Sequence, residues 1–172
     1  MRIRVESIPE DGKSIHEEIE PAAIELDEPY YTIEEPLVFT GSATRNGDDI
    51  YIKGRLSGAV KSECGRCLET FLMPIDLAVD AVFAPREEDA EDENEMFESE
   101  SNLSYYDGDS IDLLQELKDI ILVSLPIKPI CRLDCKGLCP QCGTDLNKGS
   151  CQCENRKGPS PFDKLKELKT KL

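Results

Sequence analysis

The sequence predicts an α+β protein: an antiparallel β-sheet of meander order, barrel-like in its closure, packed by one amphipathic helix and followed by a cysteine-rich module. Three observations predict it. Between residues 37 and 83 apolar and polar side chains alternate with a period of two, interrupted by turn residues. From residue 110 the apolar period becomes helical and stops at Pro126. Of the 8 cysteines, all but Cys64 and Cys67 lie between Cys131 and Cys153.

The elements follow in order. Ile3 and Val5 alternate with Arg2, Arg4 and Glu6, which predicts a strand over residues 1–8. Residues 9–35 are acidic and broken by Pro9, Pro21 and Pro29; residues 17–26 read equally as a short helix or an extended segment. Residues 37–44 form a strand, and Asn46-Gly47 is a hairpin-turn signal, because tight hairpin turns need positive φ. Ile50, Ile52, Leu56 and Val60 share the buried face of the next strand, with Tyr51, Lys53, Arg55 and Lys61 opposite. Ile75, Leu77, Val79, Ala81 and Phe83 line a third strand, which places Cys64-Gly65-Arg66-Cys67 at the second turn. Tyr105 and Tyr106 suit a short closing strand. Asp109-Ser110 offers an N-cap, with Asp112 in the first turn, and Leu114, Leu117, Ile121 and Leu125 form the helical stripe. Near the end, Phe162, Leu165 and Leu168 recur at helical spacing among lysines, a helix too short to persist unless docked.

The organisation this implies is an α+β body over residues 1–127, with an acidic loop at 86–102, and a zinc-binding module with a basic tail over 128–172. The formal net charge of −16 is unevenly spread: residues 1–127 carry 10 basic and 31 acidic groups, residues 128–172 carry 10 basic and 5 acidic groups. Such a body does not grip a nucleic-acid backbone, whereas the tail can meet an anionic partner. No apolar run approaches a membrane span, and the N-terminus lacks an apolar signal core, so a cytoplasmic protein without a membrane partner is expected.

In that setting clustered cysteines read as metal ligands rather than disulfides. Cys139-Pro140-Gln141-Cys142-Gly143 is a CPxCG knuckle, and Cys151 and Cys153 supply a second ligand pair after a turn at residues 145–149. Zinc takes four such thiolates in a tetrahedron, so this set predicts a compact zinc ribbon. Cys64, Cys67, Cys131 and Cys135 make a second four-cysteine site that clips the hairpin turn to the segment after the helix. Other pairings stay open: Cys135 also lies close enough in sequence to serve the C-terminal site, leaving Cys151 or Cys153 spare, so one or two zinc ions are expected. Iron–sulfur ligation uses the same donors, but the knuckle favours zinc.

No catalytic set emerges. His16 is the only histidine and stands in an acidic stretch; there is no phosphate-cradling glycine loop, and all-thiolate sites leave zinc no open position. No small-molecule substrate is implied, and the expectation is that the protein is not an enzyme. A thiol oxidoreductase at CGRC is the weaker reading, since a thioredoxin-type motif opens a helix in a βαβ unit.

Four segments together resemble the YceD-like family, the large ribosomal RNA subunit accumulation proteins: CGRCLETF at 64–71, SIDLLQELKDIILVSLPIKPIC at 110–131, DCKGLCPQCGTDLNKGSCQC at 134–153 and PFDKLKEL at 161–168. The resemblance runs from about residue 36 to the end. It implies a cytoplasmic bacterial or organellar factor in 23S ribosomal RNA accumulation, hence large-subunit biogenesis, and supplies no catalytic residues. The expected partner is a ribosomal RNA precursor or a basic ribosomal protein of the large subunit. Lys136, Lys148, Arg156 and Lys157 are the candidate RNA contacts, and the acidic body is the candidate surface for a basic protein. The alternative class is a zinc-dependent protein–protein adaptor or regulator without RNA contact.

Overall fold

The computed structural model describes residues 1–86 and 102–153. Most of the acidic loop expected at 86–102, the helix expected after Pro161, Arg156 and Lys157 lie outside the described residues. The elements are β1 (Arg2–Arg4), β2 (Lys13–Ile19), β3 (Tyr31–Thr32), β4 (Leu37–Asn46), β5 (Asp49–Glu63), β6 (Thr70–Pro85), β7 (Leu103–Tyr106), β8 (Ser110–Asp112) and α1 (Leu113–Ser124).

The antiparallel hairpins β4–β5 and β5–β6 form the central meander. β2 pairs antiparallel with the outer side of β4, β7 pairs parallel with β6, and β3 pairs with the far end of β5. The path β2-β4-β5-β6-β7 is an open sheet with β2 and β7 at its ends, and among the described residues they do not pair to close a barrel. The alternation fixes which face is buried: Phe39, Ile50, Ile52, Leu56 and Val60 are inaccessible to solvent, while Lys53 and Arg55 on the other face pair with Asp80 and Asp76. The first turn is one residue later than the Asn46-Gly47 signal suggests: Asn46 pairs with Asp49, the loop is Gly47 and Asp48, and only Gly47 has positive φ (63°). That is the pattern of a turn with glycine at its first central position.

At the centre of the β4–β5 pair, Gly41 faces Gly54. A Cβ on Gly54 would stand 2.5 Å from the Thr40 carbonyl oxygen and 2.9 Å from the Phe39 ring. The bare backbones let that ring lie across both strands.

The stretch 17–26 divides: residues 17–19 continue β2, which buries Ile15 and Ile19 at spacing four on the sheet edge, and Pro21–Ala23 forms one 3-10 turn before the chain extends again. Residues 1–8 behave differently from the single strand expected. Only Arg2–Arg4 is a strand, and it pairs with β8 in a separate two-stranded ribbon rather than with the main sheet. This moves the helix cap. Ile111 is fully buried opposite Ile3, so residues 110–112 are held extended, and the N-cap is Asp112 rather than Asp109-Ser110. Its carboxylate accepts the Leu114 N–H at 3.2 Å and also lies 3.6 Å from the N-terminal ammonium. α1 packs on β6 and β1 through Leu113, Leu117 and Ile121, all fully buried at i, i+4, i+8 spacing. Burying each contributes roughly 1.5–3 kcal/mol. The helix stops before Pro126. The Tyr31 hydroxyl on β3 donates to the Pro126 carbonyl, which ties the chain leaving the helix to the β5 end where the knuckle begins.

Candidate metal centres

Two groups of four cysteines are assembled, and each can hold a metal ion. Cys64, Cys67, Cys131 and Cys135 form the first; Cys139, Cys142, Cys151 and Cys153 form the second, with sulfurs within 4.8 Å of one another in each. Cys135 therefore goes with the first group, and neither Cys151 nor Cys153 is spare.

The first group lies where the β5–β6 turn meets the chain after α1. The turn closes on itself through the Cys64 N–H to the Glu69 carbonyl at 2.9 Å and the Leu68 N–H to the Cys64 carbonyl at 2.9 Å. The Gly65 N–H reaches across to the Pro129 carbonyl at 2.8 Å, bringing Cys131 to the knuckle. Cys64 and Cys135 sulfurs are 3.9 Å apart, and those of Cys67 and Cys131 3.7 Å. Cys64, Cys67 and Cys135 are buried, and Phe71 and Ile130 pack against them. The residue after the second cysteine of such a knuckle turns left-handed. Cys142 is followed by Gly143 at φ +73°, but Cys67 is followed by Leu68 at φ +61°, the one described non-glycine residue with positive φ.

The second group is built by the short segment after the first. The Cys139 N–H donates to the Thr144 carbonyl at 2.8 Å, the Leu146 N–H to the Gly137 carbonyl at 2.9 Å, and Leu138 bridges to Asp145. Cys142 is exposed, whereas Cys139 is buried.

The sulfurs themselves test whether a cation belongs here. Burial pushes the Cys64 thiol up, but N–H groups of Cys131, Cys67 and Arg66 turned toward its sulfur bring it down to about 6. Burial and the neighbouring Cys64, Cys135 and Cys67 sulfurs push Cys131 up to about 12. The pattern repeats in the second group, where the Thr144 hydroxyl and N–H lower Cys142 to about 6 and the Cys142 sulfur drives Cys153 up to about 12. In each group one thiolate forms readily and then opposes ionisation of its neighbours. A divalent cation removes that conflict, and four convergent thiolates suit zinc or an iron–sulfur centre.

Two residues that spacing alone does not single out support these sites. Arg66, between the knuckle cysteines, donates from Nη1 to the Cys135 carbonyl at 3.0 Å. Asn147, within the expected return turn, donates from Nδ2 to the Cys135 sulfur at 3.5 Å. Of the candidate RNA contacts, Lys136 is exposed, while the Lys148 ammonium pairs with Glu69 and lies 3.8 Å from Asp145. His16 is exposed on β2, 3.0 Å from the Thr40 hydroxyl and remote in sequence from every cysteine.

Residues 52–169 match the model of the family described as large ribosomal RNA subunit accumulation protein YceD. The chain belongs to the YceD family. The matched span contains both cysteine groups and α1. An uncharacterized protein of Mycobacterium tuberculosis is 31% identical over 99 residues, 58% of this chain and 46% of that protein. One from Mycobacterium leprae matches at the same identity over 44% of its length. The chain thus spans under half the length of these mycobacterial relatives. A chloroplastic protein of Arabidopsis thaliana, named large ribosomal RNA subunit accumulation protein YCED homolog 1, is 38% identical over 60 residues, 33% of this chain and 19% of the relative. No solved structure matches the chain. No helix among the described residues is long and apolar enough to cross a membrane.

Proposed function

We propose that this chain is a non-catalytic factor for accumulation of 23S ribosomal RNA, acting in large-subunit biogenesis, and that its two four-cysteine groups hold structural zinc. The family match over residues 52–169 carries the ribosomal reading. The name of the Arabidopsis relative points the same way. Support for zinc comes from closed sets of four thiolates, which leave no coordination position for a substrate. The thiol-oxidoreductase reading loses ground, because the Cys64 sulfur is fully buried and all four sulfurs of its group converge.

The acidic body and the basic tail divide the work in this reading. The polar face of β5 carries Lys53 and Arg55 already paired with Asp80 and Asp76, so the body presents net negative charge to a basic ribosomal protein. RNA contact falls to the segment from residue 128 onward, with Lys136, Arg156 and Lys157 as its contacts and Lys148 spent largely on Glu69. The site of action is the cytoplasm, or the equivalent compartment of an organelle.

Depletion of the protein in its host, with ribosomal RNA quantified, is the test. The expected result is loss of 23S relative to 16S RNA, with the intact chain crosslinking in cells to precursor RNA or to a large-subunit protein. Unchanged 23S levels with neither crosslink would overturn the proposal.

A further inference from the structure

Asn147 belongs to the segment joining the two ligand pairs of the second group, yet its side chain serves the first. Its amide nitrogen gives one hydrogen to the Cys135 sulfur at 3.5 Å and the other to Asp145 Oδ1 at 2.8 Å. Its Oδ1 accepts the Lys136 N–H at 2.8 Å and the Arg132 guanidinium at 2.9 Å. All four hydrogen-bonding positions of the amide are used. The network fixes which end is nitrogen, since a backbone N–H must point at the oxygen. The Asn147 N–H donates to the same Asp145 carboxylate at 2.9 Å, so backbone and side chain are set together.

The chain around it, from Gly137 to Lys148, also rests on the first group's knuckle. The Leu138 N–H donates to the Arg66 carbonyl at 3.0 Å. Gly137 passes so close that a Cβ there would stand 2.9 Å from that carbonyl oxygen, and the Lys148 ammonium pairs with Glu69 just after the knuckle. The segment between Cys142 and Cys151 is short and largely exposed and is flanked by two sulfurs of the second group, so an ion bound there would close it and restrict the positions open to Asn147.

We propose that Asn147 is a positioning residue coupling the two cysteine groups: filling the second group sets its amide on the Cys135 sulfur and thereby tightens metal binding at the first. This rests on the reading that both groups hold a divalent metal. An N–H donor on a ligand sulfur spreads the thiolate's charge and fixes its orientation, and such outer contacts change metal affinity by roughly 10–100-fold. Linkage makes the effect mutual: the first group, once filled, holds the second group's loop and tightens it by the same factor.

The test is zinc competition with a chromophoric chelator on the full chain, with the sites assigned by variants that retain one group each. Cys142→Ser/Cys151→Ser removes the second group and is expected to weaken zinc at the first by roughly 10–100-fold. Asn147→Ala is expected to weaken the first group by a similar factor while two zinc ions still bind. Combining the two changes adds no further loss, because both remove one contact. Intact sheet signal in circular dichroism confirms that each variant folds. Unchanged first-group affinity in Asn147→Ala, or losses that multiply in the combined variant, overturns the coupling while leaving the metal reading in place. A wild-type chain that binds no zinc overturns both.

Discussion

Chelation of the first cysteine group should cost as much stability as truncating a large buried side chain of the sheet such as Phe39. Cys64 and Cys131 are 67 positions apart, so a metal shared between them closes a long loop in the unfolded chain. Treated as a covalent cross-link, such a loop removes denatured-state entropy worth about 4 kcal/mol at 25 °C. For a protein of this size each kcal/mol moves the melting temperature by about 2–4 °C, giving a drop of roughly 8–16 °C. Residual metal held by the unfolded Cys64–Cys67 pair reduces the figure, so the lower half of the range is expected. The assay is thermal unfolding of the zinc-loaded chain, read by circular dichroism, before and after saturating chelator. Cys131→Ser in excess zinc should reproduce most of the drop, whereas Cys142→Ser, which opens only a local loop, should give a smaller one. A chelator shift below about 2 °C, with metal verified as removed, would refute the loop-closure reasoning.

Three further outcomes are expected. Gly54→Ala places a methyl group 2.5 Å from the Thr40 carbonyl oxygen and should destabilise the chain by about 1–3 kcal/mol in urea unfolding; a neutral result would show that the Phe39 ring and both strands yield easily. Leu68→Gly relieves a left-handed leucine whose side chain is exposed, and should be neutral to about 1 kcal/mol stabilising after the unfolded-state cost of glycine; a clear loss would mean that the leucine side chain contributes packing. Arg55 beside Asp76 holds that carboxyl below the usual carboxylate range, so the pair's contribution is present above the unfolded value of about 3.9 and is lost as pH falls through the lower folded value. An NMR titration of Asp76 should return toward the ordinary value in Arg55→Ala, and an unchanged titration would remove the pair from consideration.

The meander was legible because one rule, alternation, governs residues 37–83, and the buried set Ile50, Ile52, Leu56 and Val60 follows from it directly. The helix was legible from Leu117 and Ile121, but not its start. Asp109, Ser110 and Asp112 are all competent caps by local chemistry, and the choice was made by Ile111 pairing opposite Ile3, more than a hundred positions away. The same non-local contact took the N-terminal strand out of the main sheet. Barrel-like closure was not legible, because alternation carries no information on whether edge strands meet. The cysteine spacing announced metal ligands but left Cys135 open between two groups, and the distances assign it to the first. Arg66 and Asn147 were silent, because an arginine between cysteines and an asparagine in a turn are ordinary until their hydrogen bonds are seen.

The two groups share donors but not mechanical roles. The first draws on the turn between two long sheet strands and on the chain leaving α1, and it is buried, with Phe71 and Ile130 against it. Metal there would fasten that turn to the chain leaving α1. The second gathers four cysteines between residues 139 and 153, with Cys142 exposed, and rests on the first through Asn147, Leu138 and Lys148. Its folding would then depend on the first group, through those same contacts. Loss of metal should therefore proceed outward to inward: a limiting chelator strips the exposed second group first, and proteolysis begins near residue 142 while the sheet stays intact. Trypsin digestion followed by mass spectrometry reads this order. Early cleavage at Arg66, between the buried Cys64 and Cys67, before any at Lys148 would reverse the hierarchy.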